Sequence, residues 1–102
     1  MPRIKITWTP RAQQNLREVQ RYVARDAPRT AKKFIKRIRD SVKRLKDFPE
    51  LGSIVPEFDI PSLREILVGN YRIIYRFSEE AVSILSVYHA ARRLTERVVL
   101  DK

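Results

Sequence analysis

Apolar residues recur along this chain with two different periods. In "RIKITW", residues 3–8, Ile4 and Ile6 alternate with Lys5 and Thr7, the two-residue period of a short strand. From residue 10 the spacing changes: Ala12, Leu16, Val19 and Val23 fall on one side of a helix, with Tyr22 beside them. Thr9-Pro10 supplies a capping side chain and a proline at the first helical position, so a helix is predicted over 10–24. Pro28 disfavours helical geometry at Ala27, ending that helix and letting a second run over 28–47. Its apolar stripe is Ala31, Phe34, Ile35, Ile38, Val42 and Leu45, and Phe48-Pro49 stops it. Two helices with so short a break are expected to pack as an antiparallel hairpin.

Residues 49–62, "PELGSIVPEFDIPS", hold three prolines and a glycine and read as an ordered loop crossing the surface. Three strands are predicted after it, at 63–68, 71–77 and 82–88. Gly69-Asn70 makes a two-residue hairpin and "SEEA" the second turn. The tail "AARRLTERVVLDK" is a short helix or a segment that docks back. The expected fold class is α+β, in the order β-α-α-β-β-β, with an N-terminal helical hairpin on one face of a small antiparallel sheet. Nothing in the pattern divides residues 1–102 into more than one domain.

The two-residue turn sets a register in which Val68 pairs with Tyr71, Ile66 with Ile73 and Arg64 with Tyr75. A four-residue second turn then brings Phe77 to Val82, Tyr75 to Ile84 and Tyr71 to Tyr88. That face is apolar apart from Arg64 and is expected to receive the helices. The other face carries Leu63, Glu65, Leu67, Arg72, Ile74, Arg76, Leu85 and Val87, with His89 at its end. Glu65, Arg72 and His89 are therefore expected near one another on a face without helices, where Arg72→Ala should leave the fold intact. The residues alone leave two readings open: a cross-strand ion pair on a solvated sheet, or groups that touch a substrate or partner.

Charge changes the picture. Twenty-two Lys and Arg against 12 Asp and Glu give +10 on 102 residues, which points to a polyanionic partner. The second helix is the main source. Arg29, Lys32, Lys33, Lys36, Arg37, Arg39, Lys43, Arg44 and Lys46 stand against Asp40 and Asp47. The absence of cysteine and the single histidine argue against a thiolate or zinc centre, and no metal or other cofactor is expected. Without a leader-like segment or an apolar run of about 20 residues, a soluble cytoplasmic protein that avoids membranes is expected.

Two stretches, residues 16–52 and "LREILVGNYRIIYRFSEEAVSILSVYHAARRL" at 63–94, resemble the RelE/ParE superfamily, the toxins of type II toxin–antitoxin systems. The motif "GxYRxxYR" and a strand ending in "VxHxxR" carry the resemblance. It implies a growth-inhibitory toxin neutralised by a cognate antitoxin, with which it forms a hetero-oligomer. RelE-like members are ribosome-dependent endoribonucleases that cut messenger RNA; ParE-like members act on DNA gyrase without a recognised nuclease site. For the ribonuclease branch the resemblance implies Arg72 as the phosphate-stabilising cation and matches His89 and Glu57 to a histidine and a loop glutamate of YoeB-like members. The reaction, attack of a ribose 2′-OH on the adjacent phosphate, would take Glu57 or Glu65 as the base that deprotonates the hydroxyl and His89 as the acid for the leaving oxygen. Ala90 stands where YoeB-like members have an aromatic after the histidine, and the strand before the hairpin has no lysine. The long helical hairpin and the "VYHAARRL" ending are closer to ParE and the plasmid-stabilisation proteins. On that branch Arg76, Arg92, Arg93, Lys36, Arg37 and Lys43 are the partner-binding candidates, and an acidic antitoxin segment is expected over the basic hairpin and a sheet edge. A plain nucleic-acid-binding module is the remaining alternative, without a helix-turn-helix signature to support it.

Overall fold

The computed structural model describes residues 4–91. Arg92, Arg93 and the rest of the C-terminal tail lie outside the described residues. The elements are β1 (Lys5–Trp8), α1 (Pro10–Ala24), α2 (Pro28–Lys43), β2 (Ser53–Ile54), β3 (Leu63–Val68), β4 (Tyr71–Phe77) and β5 (Ala81–His89). The expected α+β order is therefore present, with one short additional strand. Among the described residues no helix is long and apolar enough to cross a membrane.

Local chemistry explains the helix ends. Thr9 is extended and its side chain accepts a hydrogen bond from the Ala12 N–H at 3.1 Å, with Pro10 beginning α1. Ala27 sits at φ −149°, ψ 81°, the extended geometry a following proline demands, and Pro28 begins α2. The last turn of the second helix tightens into a 3₁₀ segment over Arg44–Lys46 ahead of Phe48-Pro49.

The sheet order is β1-β5-β4-β3-β2. β3, β4 and β5 form the antiparallel meander the turns predict, and Val68↔Tyr71, Ile66↔Ile73 and Arg64↔Tyr75 pair as expected. Gly69 takes φ +58° while Asn70 stays out of the positive region, the combination a type II′ turn uses. The sheet differs from the expectation in being mixed: β1 runs parallel to β5, from Lys5↔Ala81 to Trp8↔Ile84. A period-2 pattern encodes a strand and its faces but not its direction, which here is set by the helical hairpin joining β1 to the meander.

A bulge in β5 decides which side chains reach which face. Tyr75 pairs with Ile84 but Ile74 pairs with Ser86, so Leu85 is one residue too many. The bulge falls where β1 ends and α1 begins, and Thr9 together with Asn15 of α1 supplies the missing ladder partners. The Thr9 N–H donates to the Ile84 carbonyl at 3.0 Å and its hydroxyl to the Leu85 carbonyl at 3.1 Å. The Val87 N–H donates to Oδ1 of Asn15, a buried polar residue on the apolar side of α1, at 3.1 Å. After the bulge the faces exchange. Val87 joins the helix-side core with Leu16, Ile38, Ile73 and Tyr75, whereas Tyr88 joins a second core with Val55, Leu63, Ile74 and Leu85. Tyr71 accordingly meets His89, not the Tyr88 expected from an unbroken ladder.

Removing the Asn15 side chain should leave the Val87 N–H buried without a partner. Asn15→Ala is expected to cost about 1–3 kcal/mol, read as a lower melting temperature, whereas Gln14→Ala on the exposed side of α1 should change little. A wild-type melt for Asn15→Ala would show that the bulge does not need this side chain.

The second core also corrects the expected bare face. Residues 55–60 fold over it, with Val55 fully buried and Phe58 and Ile60 packed alongside. The stretch expected to be only a loop also pairs as β2 with β3, Ser53↔Glu65 and Ile54↔Arg64.

Candidate functional site

The turn over 55–60 places Glu57 above the sheet. Its frame is a set of backbone bonds: Val55 N–H to Leu63 at 3.1 Å, Phe58 and Asp59 N–H to Val55 at 3.2 and 3.0 Å, and Leu63 N–H to Ile60 at 2.9 Å. Asp59 adopts φ +52°, a conformation Asp tolerates better than most residues. Beneath the turn, Glu65 of β3 and Arg72 of β4 rise on the same face, Arg72 lying opposite Leu67 and Tyr88.

The three side chains form one clasp. Arg72 donates from both terminal nitrogens to Glu57, at 2.6 and 2.7 Å, a fork-to-fork pair. Its Nε donates to Glu65 at 2.9 Å, and a terminal nitrogen makes a further contact with the same Glu65 oxygen. Arg72 is only 7% exposed. The hydrogen bonds to Glu57, and after them those to Glu65, push its pKa above the ordinary arginine value against the opposing effect of burial. One cation between two carboxylates leaves the cluster with a formal charge of −1, and the guanidinium is already engaged on both edges. Such a group is a structural tie before it is an anion receptor. An incoming phosphate would have to displace a carboxylate.

The other sequence candidates divide by face and by element. His89 pairs with Tyr71, so it lies on the helix side of the sheet, across it from Arg72. Its ring meets Tyr71 edge-on at 5.4 Å, Tyr71 in turn lies 5.6 Å from Phe34, and Nδ1 accepts from the Ala91 N–H at 3.2 Å. The structure thus brings Glu57, Glu65 and Arg72 together and does not bring His89 to them. The expected neighbourhood failed because the bulge at Leu85 reversed the face of everything after it. Arg76 remains exposed on β4. Arg64 spends its guanidinium on the loop, donating to the carbonyls of Pro61 at 2.7 Å and Gly52 at 3.0 Å while lying 5.5 Å from the Phe77 ring. Lys36 pairs with Asp40 at 2.7 Å on the outer side of α2, near Arg37. Among the described residues no cluster of three or more His, Asp or Glu could hold a metal ion.

Sequence reading missed a groove. Between the open edge of β1 and α2 lies a cavity of about 600 Å³ with Ile4, Ile6, Trp8 and Val42 as an apolar floor and Arg39, Lys43 and Lys46 as a basic rim. The Arg39 guanidinium stacks 5.6 Å from the Trp8 ring. Val42 is a buried core residue, whereas Ile4, Ile6 and Trp8 look like core residues in sequence but stay half-buried because β1 lies at the edge of the sheet.

Comparison with known proteins places this architecture. The chain is 37% identical over 92 residues to the putative toxin Y4kP of Sinorhizobium fredii, covering 88% of this chain and 92% of that protein. It is 29% identical over 89 residues to toxin RelE2 of Caulobacter vibrioides, covering 86% and 97%. Its fold matches a chain of the chromosomal ParDE toxin–antitoxin system of Pseudomonas aeruginosa, with a TM-score of 0.71 at 20% identity, over 84% of this chain and 95% of that one. Residues 6–94 match the family described as the ParE toxin of the type II toxin–antitoxin system parDE. The chain belongs to that family, within the RelE/ParE superfamily of type II toxins.

Proposed function

We propose that this toxin arrests growth as ParE-like proteins do, by binding DNA gyrase in the cytoplasm, with residues 1–102 acting as one domain and a cognate antitoxin holding it inactive. The observation that carries this reading is the clasp. Arg72, the residue a nuclease would need for the scissile phosphate, is buried and held on both edges by Glu57 and Glu65. His89, the acid such a nuclease would use, stands on the other side of the sheet. The antitoxin partner is supported by the ParDE toxin–antitoxin system among the structural neighbours. The groove beside β1 suits an acidic segment punctuated by apolar residues, and its floor would make the complex outlast high salt.

Induction without antitoxin should stop growth and raise DNA-damage signalling while messenger RNA stays intact. The purified toxin should block supercoiling by gyrase. Cleavage of messenger RNA that requires ribosomes, with gyrase unaffected, would instead establish the ribonuclease reading. One observation favours that alternative: Glu57, Glu65 and Arg72 do converge at one point. It requires Arg72 to exchange a carboxylate for a phosphate and an acid other than His89.

A further inference from the structure

The outer side of α2 has no role in the groove, the clasp or either core. Residues 28–46 hold nine Lys and Arg against one acid, Asp40; Arg39, Lys43 and Lys46 belong to the groove rim, and the other six stand outside it. All nine are exposed. Asp40 is spent on Lys36, which holds its carboxyl below the usual range. The side chains of Arg29, Lys32, Lys33, Arg37, Arg44 and Lys46 make no hydrogen bond or ion pair among the described residues. Arg29, Lys33, Arg37 and Arg44 recur at intervals of four, four and seven, so they form one line along α2, about 24 Å long, and into the 3₁₀ turn that follows it. A shallow depression runs beside them, lined by Lys33, Lys36, Arg37, Asp40, Ser41 and Arg44.

We infer that this face is a docking surface for the sugar–phosphate backbone of duplex DNA, a contact that does not depend on gyrase being the target. Three observations select that occupant. First, the large exposed apolar side chains of the described residues are Tyr22, Phe48, Leu51, Ile54 and Leu67, and none belongs to α2. An acidic protein would find charge here but no apolar anchor, and protein interfaces draw most of their energy from such anchors. A phosphate backbone needs none, because released counterions supply the driving force. Second, no exposed aromatic stands on the face to stack unpaired bases, which single strands require. Third, a convex helix roughly 10–12 Å across fits along the B-form major groove, about 12 Å wide, but not the deep, narrow one of duplex RNA. Contacts to phosphate oxygens carry no sequence information, so binding through this face should be indifferent to sequence.

The test is fluorescence anisotropy of the whole toxin, freed of antitoxin, with a labelled 20-base-pair DNA duplex across a salt series. Lys33→Gln/Arg37→Gln/Arg44→Gln should lower the slope of log K against log salt by about 2.7 and weaken binding on the order of 10²-fold at 0.1 M salt. The control Arg17→Gln/Arg21→Gln/Arg25→Gln removes the same charge from α1 and its C-cap and should leave the slope within about one unit. Circular dichroism on both variants confirms that they remain folded. Equal losses from the two triples would reduce the effect to net charge and overturn the proposal. So would equal or tighter binding to duplex RNA or single-stranded RNA of the same length, or loss of antitoxin binding with DNA binding unchanged.

Discussion

Arg72→Ala is expected to destabilise the protein by about 3–5 kcal/mol, because it leaves two carboxylates facing one another in a covered site. The Arg72 side chain is 8% exposed, that of Glu65 12% and that of Glu57 23%, so water relieves the repulsion incompletely and mainly on the Glu57 side. For a domain near 100 residues such a loss lowers the melting temperature by roughly 15 °C or more. Thermal circular dichroism checks it, and a melt within 3 °C of the wild type, in keeping with the sequence expectation of a solvent-facing arginine, would refute the buried clasp. The alanine variant is consequently a poor probe of mechanism, since lost toxicity would report unfolding. A volume-conserving replacement separates the two. Buried charge clusters replaced together by apolar residues are often neutral or stabilising. Arg72→Met with Glu57→Leu and Glu65→Leu should therefore recover most of the stability. On the gyrase reading this triple variant remains toxic and still binds antitoxin. If it folds and binds antitoxin but has lost toxicity, while the wild type cuts messenger RNA, the clasp is catalytic.

Gly52→Ala is the second large effect, and its cause is space. A Cβ at Gly52 would sit 2.4 Å from the backbone oxygen of Glu65 and 2.8 Å from the Tyr75 hydroxyl. Neither neighbour is a flexible side-chain end. The Glu65 oxygen belongs to a paired strand, and Tyr75 is fully buried with its hydroxyl donating to the Pro49 carbonyl at 2.7 Å and accepting from the Gly52 N–H at 2.9 Å. β2 must therefore lift from β3, which breaks the Tyr75 bonds and loosens the Arg64 contact with the Gly52 carbonyl. Overpacking and lost buried hydrogen bonds together should cost about 3 kcal/mol. Urea unfolding measures this. Hydrogen exchange should accelerate first at the Val55 amide, which bonds to Leu63 just beyond β2. Ser53→Ala, at an exposed position one residue away, is the control. Equal stability of Gly52→Ala and wild type would mean that β2 shifts at no cost and does not brace the Glu57 turn.

What the sequence by itself determined was everything governed by near neighbours. Thr9-Pro10 and Ala27-Pro28 fixed both helix starts to the residue, since capping and proline sterics act within a turn. Gly69-Asn70 fixed the β3–β4 register because a two-residue loop allows only one pairing. The motif around Tyr71-Arg72 and His89 was enough to reach the superfamily. The tertiary structure decided three things that no local pattern carries. The direction of β1 followed from the path of the helical hairpin. The bulge at Leu85 followed from Thr9 and Asn15, over 70 residues away, which take up the backbone groups that an unbroken ladder would have paired. The covering of the second face followed from Val55, Phe58 and Ile60, whose burial turned residues 55–60 from a surface crossing into a lid over Arg72. Each of these depends on which distant groups satisfy a buried donor, acceptor or apolar surface. For that reason Glu57 and Arg72 became partners and His89, on the strand beyond the extra residue Leu85, did not.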